Sequence, residues 1–288
     1  MSNSPRTVFV HIHIPKCGGT SFNEVLWRNF RLGLQMEYGR FNMLRPTADE
    51  VEWVLWRNRW VRAVAGHCFD SRLHYRTSDH AIVAITFVRD PVERLTSSYN
   101  FMRRTGYPGV SQMTIWQAAQ GLVGVTELPG LRNPWFLRGQ VEHLDPNRDL
   151  GRIERLVERG SLYVFPVERF ADACLLLGHR FPDHFRNTSF RVKNVTPRVQ
   201  EPDSRVVELL RQHQRDGFQL HDRACQWLEN GLAEAMTRTD LERARASQRR
   251  RNTYLASPLG EAGYIAGRVR DLTRQYLERR RWVGIVRS

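Results

Sequence analysis

Val8-Phe9-Val10-His11-Ile12-His13-Ile14 runs without a break into Pro15-Lys16-Cys17-Gly18-Gly19-Thr20-Ser21, and a helix-like stretch follows from about Phe22 to Phe30. The first seven residues are β-branched or apolar at alternate positions, the pattern of a strand. Two adjacent glycines let the backbone curl so that several N–H groups converge on one point. The helix that follows adds the positive end of its dipole. Thr20 and Ser21 offer hydroxyl donors there, and Lys16 supplies a mobile ammonium. The expectation is an anion cradle sized for a phosphate, built by Lys16, Gly18, Gly19, Thr20 and Ser21. An ordinary Gly-Gly turn after a buried strand has no need of lysine, glycines and hydroxyls in that order.

Working outward, the same strand–turn–helix rhythm returns. Ala81 to Val88 (AIVAITFV) is a near-continuous apolar run, the mark of a strand buried on both faces of a parallel sheet. It ends at Arg89-Asp90-Pro91, and a helix is expected to about Arg103. Asp90 suits the N-cap, Pro91 the first helical position, and Glu93 the return half of a capping box. Leu162 to Phe165 reads as a further short strand, with a helix from about Phe170 to Leu177. These repeats predict an α/β fold: a three-layer sandwich with a central parallel sheet, a P-loop-like nucleotide-binding core, helical insertions and a helical C-terminal tail. No internal repeat or low-complexity linker divides the chain. We expect one domain over 1–240 and a basic helical extension over 241–288.

Of 44 basic residues in 288, only Lys16 and Lys193 are lysines; against 30 acids the net charge is +14. Residues 241–288 hold 12 arginines and 4 acids, so the last sixth of the chain carries more than half of the excess. That tail reads as a solvated helix packed by one apolar face; the sharper alternative is a basic helix touching an anionic membrane surface or polymer. With 41% hydrophobic and 26% charged residues the chain is globular, not disordered. No apolar run reaches the ~18–20 residues of a membrane span, and Met1 to Thr7 has no signal-peptide core. Cys17, Cys68, Cys174 and Cys225 are scattered without metal-ligand spacing. A cytoplasmic protein with reduced cysteines and no metal site is the expectation. Trp53, Trp56 and Trp60 fall at i, i+3 and i+7, which favours a buried helix face over a sugar platform.

The order of the cradle residues discriminates further. A Walker A loop places its lysine after the glycines; here it precedes them, which disfavours an ATPase or ordinary kinase. His13-Ile14-Pro15-Lys16-Cys17-Gly18-Gly19-Thr20-Ser21-Phe22 resembles the 5′-phosphosulfate loop of PAPS-dependent sulfotransferases, in particular the carbohydrate branch that includes the heparan and chondroitin enzymes. Many of those have Thr where this chain has Cys17, to which we give no role. Phe87-Val88-Arg89-Asp90-Pro91-Val92-Glu93-Arg94-Leu95-Thr96-Ser97-Ser98-Tyr99 is similar to the family's 3′-phosphate motif. Arg89 sits where strand meets helix, and Ser97, about two turns on, could reach the same phosphate. Ala65-Gly66-His67-Cys68-Phe69 resembles the segment that supplies the catalytic histidine, and a neutral histidine suits removal of a hydroxyl proton near pH 7. His74 is a weaker competitor, and His11 and His13 are expected simply to point off a strand.

The resemblance continues as scattered motifs to about residue 200. Phe165-Pro166-Val167-Glu168-Arg169-Phe170 looks like a late strand segment of the family, and Arg191-Val192-Lys193-Asn194-Val195-Thr196-Pro197-Arg198 falls where the family closes a loop over the nucleotide. Lys193 and Arg198 are therefore expected cofactor contacts, although a solvated basic loop reads much the same locally. Asn133-Pro134-Trp135-Phe136-Leu137 resembles a segment near the acceptor cleft, so His74, Asn133, Trp135 and Arg138 are candidate acceptor contacts. The implied activity is sulfuryl transfer from PAPS to a hydroxyl, on a glycan or other alcohol, with Lys16 and His67 catalytic and no metal required. The rivals are a basic polyanion- or membrane-surface-binding protein, without a specific nucleic-acid motif, and a nucleotide-dependent kinase of related fold.

Overall fold

The computed structural model describes residues 5–37, 46, 48–73, 80–107, 109–110, 112–124, 139–191, 200–258, 260–262 and 266. The order is β1 (Arg6–Ile12), α1 (Gly19–Phe30), β2 (Leu34–Glu37), α2 (Ala48–Arg57), β3 (Ala63–Gly66), β4 (His80–Val88) and α3 (Pro91–Arg104). There follow α4 (Ile115–Leu122), α5 (Gln140–Leu144), α6 (Leu150–Glu158), β5 (Leu162–Pro166), α7 (Phe170–Arg180), α8 (Ser204–His213), α9 (Arg215–Ala235) and α10 (Arg238–Ala256). The strands lie in the order β2-β3-β1-β4-β5, and every pair is parallel. Phe9 registers with Ala63 on one side of β1 and with Val83 on the other.

Five successive residues of β1, Val8 to Ile12, are buried, as are Ile82 to Val88 of β4. Successive strand residues point to opposite faces, so helices cover both faces and the three-layer α/β expectation holds. On one face Phe9 packs edge-on against Phe181 and Phe185, with ring centroids 5.1 and 5.0 Å away. Phe22 of α1 meets Phe87 of β4, which stacks on Phe170 of α7 at 4.7 Å. Leu220, Ala224, Leu228 and Leu232 form a buried stripe along α9, at the four-residue spacing of one helix face. A second core joins α3, α4 and α8 through Leu95, Tyr99, Met102, Ile115, Val206 and Leu210. These are the helical insertions. Among the described residues no helix is long and apolar enough to cross a membrane.

Two local expectations are corrected. The Asp90 carboxylate does cap α3, accepting from the Val92 and Glu93 amides at 2.9 and 3.0 Å. The Asp90 amide, however, donates to Glu168, which follows the neighbouring strand β5, while Glu93 takes the Arg89 guanidinium at 3.3 Å. The positive charge next door outcompetes the capping box. Trp53, Trp56 and Trp60 are 51%, 57% and 47% exposed. Helix α2 is apolar on two sides, and the aliphatic pair Val51 and Leu55 takes the core, leaving the Trp53 and Trp56 indoles outside; the helix ends at Arg57, so Trp60 lies in the turn beyond it. The basic tail is described through α10 and a few residues beyond; the rest of 241–288, and with it the apolar face expected there, lies outside the described residues. Helix α10 lies on α7 through polar contacts: Arg245 forks onto Asp172 at 2.9 and 2.8 Å, and Gln248, the one buried residue of the helix, donates to the Thr188 carbonyl. Its arginine-rich sequence has too few apolar residues to make a stripe.

Candidate active site

The sheet order explains why the candidate residues meet. Strands β3, β1 and β4 are neighbours and parallel, so their carboxyl ends emerge along one edge, where ligands of open α/β sheets bind. His67 directly follows β3, the Pro15–Ser21 loop follows β1, and Arg89 follows β4.

In the loop, Lys16 and Gly18 both take the left-handed conformation, with φ of 66° and 77°. A lysine in this region stores strain of about 1–3 kcal/mol, which the surrounding contacts must hold in place. Gly18 is the N-cap of α1; its carbonyl accepts from the Ser21 and Phe22 amides. Having no side chain, it leaves the first turn of a twelve-residue helix without a side-chain cap. A Cβ at Gly18 would also lie 2.6 Å from Val167 Cγ2. At Gly19 the obstacle is different: a Cβ there would overlap the imidazole of His13. The two glycines thus serve two purposes, one conformational and one steric.

Helix α3 lays a row of side chains beside this loop. Glu93, Ser97 and Phe101 follow each other at four-residue intervals, hence on one helix face. Arg89 pairs with Glu93 at one end of the row, and the Lys16 ammonium sits 4.2 Å over the Phe101 ring at the other. Half-buried Ser97 lies between the two contacts. Arg89 also reaches the Lys16 carbonyl at 3.5 Å, and buried Arg94 donates to the Pro15 carbonyl. Partial burial, with the nearby charges of Arg104 and Arg89, pulls the Lys16 pKa down to about 8.

Gln140, at the start of α5, pins the two turns together. Its carboxamide accepts from the Arg89 amide at 2.7 Å, donates to the Arg89 carbonyl at 2.6 Å, and accepts from the Cys17 thiol at 3.3 Å. Burial raises the Cys17 pKa to about 12, so this cysteine is a protonated peg and not a nucleophile. Neither Gln140 nor Arg94 figures among the residues read from the sequence. Arg94 stands inside a motif that carries it; Gln140 lies 51 residues from Arg89 and 123 from Cys17 and gives no local signal.

The His67 Nδ1–H donates to the His13 carbonyl at 2.6 Å, which fixes the tautomer and leaves Nε2 as the basic nitrogen. Burial lowers the His67 pKa against the opposing pull of that hydrogen bond. The ring stands 4.2 Å from the His13 ring, which in turn stacks on His11 at 5.2 Å. His11 donates to the Asn23 carboxamide oxygen at 2.9 Å. Burial drops the His11 pKa to about 3 and holds His13 well below its ordinary value. These two do more than point off a strand: they form a buried, uncharged stack between the loop and His67.

The structure therefore brings Lys16, Gly18, Gly19, Thr20, Ser21, Arg89, Ser97 and His67 to one edge. Thr20 is exposed in the first turn of α1, and Ser21 is buried beneath it. His74, Asn133, Trp135, Arg138, Lys193 and Arg198 lie outside the described residues.

Comparison with known proteins bears on the same segment. Residues 2–125 match the sulfotransferase family. The match spans β1 to α4 and so contains the loop, His67, Arg89 and Ser97. It supports sulfuryl transfer as the chemistry. Among solved structures, a sulfotransferase from Alicyclobacillus acidocaldarius is similar at 14% identity and a TM-score of 0.48, covering 78% of this chain and 98% of that one. No curated protein matches the sequence.

Proposed function

We propose that this chain is a PAPS-dependent sulfotransferase that moves a sulfuryl group to a hydroxyl, on a carbohydrate acceptor. The observation that carries the reading is the convergence of an uncapped helix N-terminus, Lys16, the Arg89–Ser97 row and a tautomer-fixed His67 on one sheet edge. The loop amides, Thr20 and Ser21 would hold the 5′-phosphosulfate, and Arg89 with Ser97 the 3′-phosphate. Lys193, Arg198 and the acceptor contacts His74, Asn133, Trp135 and Arg138 belong to the same reading. We assign the catalytic domain to 1–240 and treat 241–288 as a basic extension that could touch an anionic membrane surface, in a cytoplasmic protein.

In this reading, His67 Nε2 takes the acceptor hydroxyl proton as the acceptor oxygen bonds to sulfur. The bond between sulfur and the bridging phosphate oxygen breaks in line, and adenosine 3′,5′-bisphosphate leaves with the electron pair. Lys16 offsets the charge growing on that bridging oxygen. Positioning and electrostatics do the catalysis, as in phosphoryl transfer. Incubation with sulfur-labelled PAPS and a panel of glycans and small alcohols tests the reading; label in an acceptor supports it, and phosphoryl transfer from ATP to an acceptor with no transfer from PAPS points to the kinase alternative.

Arg89→Ala should bind the 3′-phosphorylated nucleotide about tenfold or more weakly, the order of one lost charge-assisted hydrogen bond. It should also lose preference over the 3′-dephosphorylated analogue. Equal discrimination by wild type and variant in a calorimetric titration would remove Arg89 from the 3′-phosphate site.

The pH profile of kcat/KM follows from two shifts of the free enzyme. His67 must be neutral to act, and its pKa lies below the ordinary 6.5, so the rate should fall only as pH drops below that value. Lys16 must be charged, and its pKa is about 8, so the rate should fall again as pH rises through about 8. The profile is a bell with its alkaline limb near 8. In Lys16→Arg that limb should vanish, because arginine stays charged; an unchanged limb would assign it to another group.

A further inference from the structure

The exposed indoles of α2 lie far from this site. Trp53 and Trp56, with Asp49, Glu52 and His80, line a pocket of about 340 Å³. His80 opens β4, whose nine residues end beside Arg89, so the pocket sits at the opposite sheet edge, about 26 Å away at 3.3 Å per residue. Its wall is anchored. Arg6 spans from β1 to donate to the Leu55 carbonyl at 3.2 Å, to the Arg59 carbonyl, and to His80 Nε2 at 2.9 Å. These bonds hold the end of α2 against the first residue of β4.

We propose that this pocket binds an organic cation, an alkylated ammonium or a guanidinium carried on an apolar body. This stands independently of the sulfotransferase reading. Three observations converge. Among the described residues the Asp49 and Glu52 carboxylates have no hydrogen-bond or ion-pair partner, in a chain with 42 arginines and a net charge of +14. The indoles are half exposed, and aromatic faces attract cations by about 0.5–2 kcal/mol. The helix already shows that preference: the Arg57 guanidinium lies 4.7 Å over the Trp53 ring and makes no pair with the carboxylates. Arg57 lies on Trp53, and Arg6 is held by backbone carbonyls and His80. The volume suits a small head group, being at the lower end of ligand pockets.

The test uses the full chain and its indole N–H resonances in ¹H–¹⁵N NMR, with Trp53 and Trp56 assigned through Trp53→Phe and Trp56→Phe. Choline, a short arginine-containing peptide, the uncharged choline isostere 3,3-dimethylbutan-1-ol, and glucose are titrated in turn. Saturable shifts of the Trp53 and Trp56 indoles with choline support a small alkylated ammonium ion as ligand; shifts with the peptide alone support a polypeptide side chain. In Asp49→Asn/Glu52→Gln the cation should bind about tenfold or more weakly. The proposal is overturned if no cation shifts these indoles, if the isostere or glucose binds as well as choline, or if the carboxamide variant binds choline like the wild type. A dimer in light scattering that Trp53→Ala/Trp56→Ala dissociates would also overturn it, making the patch a contact between copies.

Discussion

His67→Ala should lower kcat for sulfuryl transfer by about 10²–10⁴-fold, the usual contribution of a positioned general base, while the nucleotide still binds. The geometry makes the effect specific. His67 spends Nδ1–H on the His13 carbonyl, so Nε2 is the nitrogen left to accept a proton, and burial keeps the ring neutral at pH 7. The acid limb of the pH profile should vanish with the side chain, whereas loss of fold would lower Tm and nucleotide affinity together. Measuring kcat by label transfer, affinity by calorimetry and Tm by circular dichroism separates these cases. A His67→Ala protein with wild-type kcat would eliminate this residue as the base.

Gly19→Ala is the second large effect. One methyl group is added, yet it must enter the space of the His13 ring. His13 cannot easily yield, being buried between His11 and His67. Overpacking of this kind costs about 1–3 kcal/mol, read as a fall of several degrees in Tm. Activity should fall further than stability alone explains, because the residue pushed aside carries the carbonyl that orients His67. The double variant Gly19→Ala/His13→Ala tests this division. Removing the ring makes room for the methyl and leaves the residue-13 carbonyl in place, so Tm and kcat should both recover toward the wild type. Recovery of Tm without kcat would show that the His13 ring, and not its carbonyl alone, positions His67.

The strands and turns with the longest unbroken patterns were readable from sequence. Val8–Ile14 and Ala81–Val88 are buried on both faces and lead straight into helices, so their composition alone places them. Strands β2 and β3, four residues each, are too short for any period to show. The site was legible where one loop holds all its parts, as in Lys16 to Ser21. It was illegible where parts meet across the fold. Gln140 joins two turns from 51 and 123 residues away, and Glu168 supplies the bond that Glu93 was expected to make. Charge pairing settles local contacts that a pattern does not show: Glu93 takes the neighbouring arginine, and α10 docks through Arg245 and Gln248. The tryptophans of α2 show the same limit, since periodicity finds a helix face but does not say which of two apolar faces turns inward. The rarity of lysine proved more informative than the net charge. Lys16 lies in the loop over Phe101 and next to the Arg89 row.

The central claim is that the Pro15–Ser21 loop and the Arg89–Ser97 row together hold a 3′-phosphorylated adenine nucleotide. It can be measured without knowing the acceptor. Calorimetric titration of wild-type chain and Lys16→Ala with adenosine 3′,5′-bisphosphate, AMP and ATP gives the answer directly. The account predicts that the wild type binds the bisphosphate at least about tenfold more tightly than AMP or ATP, a difference of about 1.4 kcal/mol, and that Lys16→Ala loses much of that affinity. Equal binding of ATP, or no saturable binding of the bisphosphate, would contradict it.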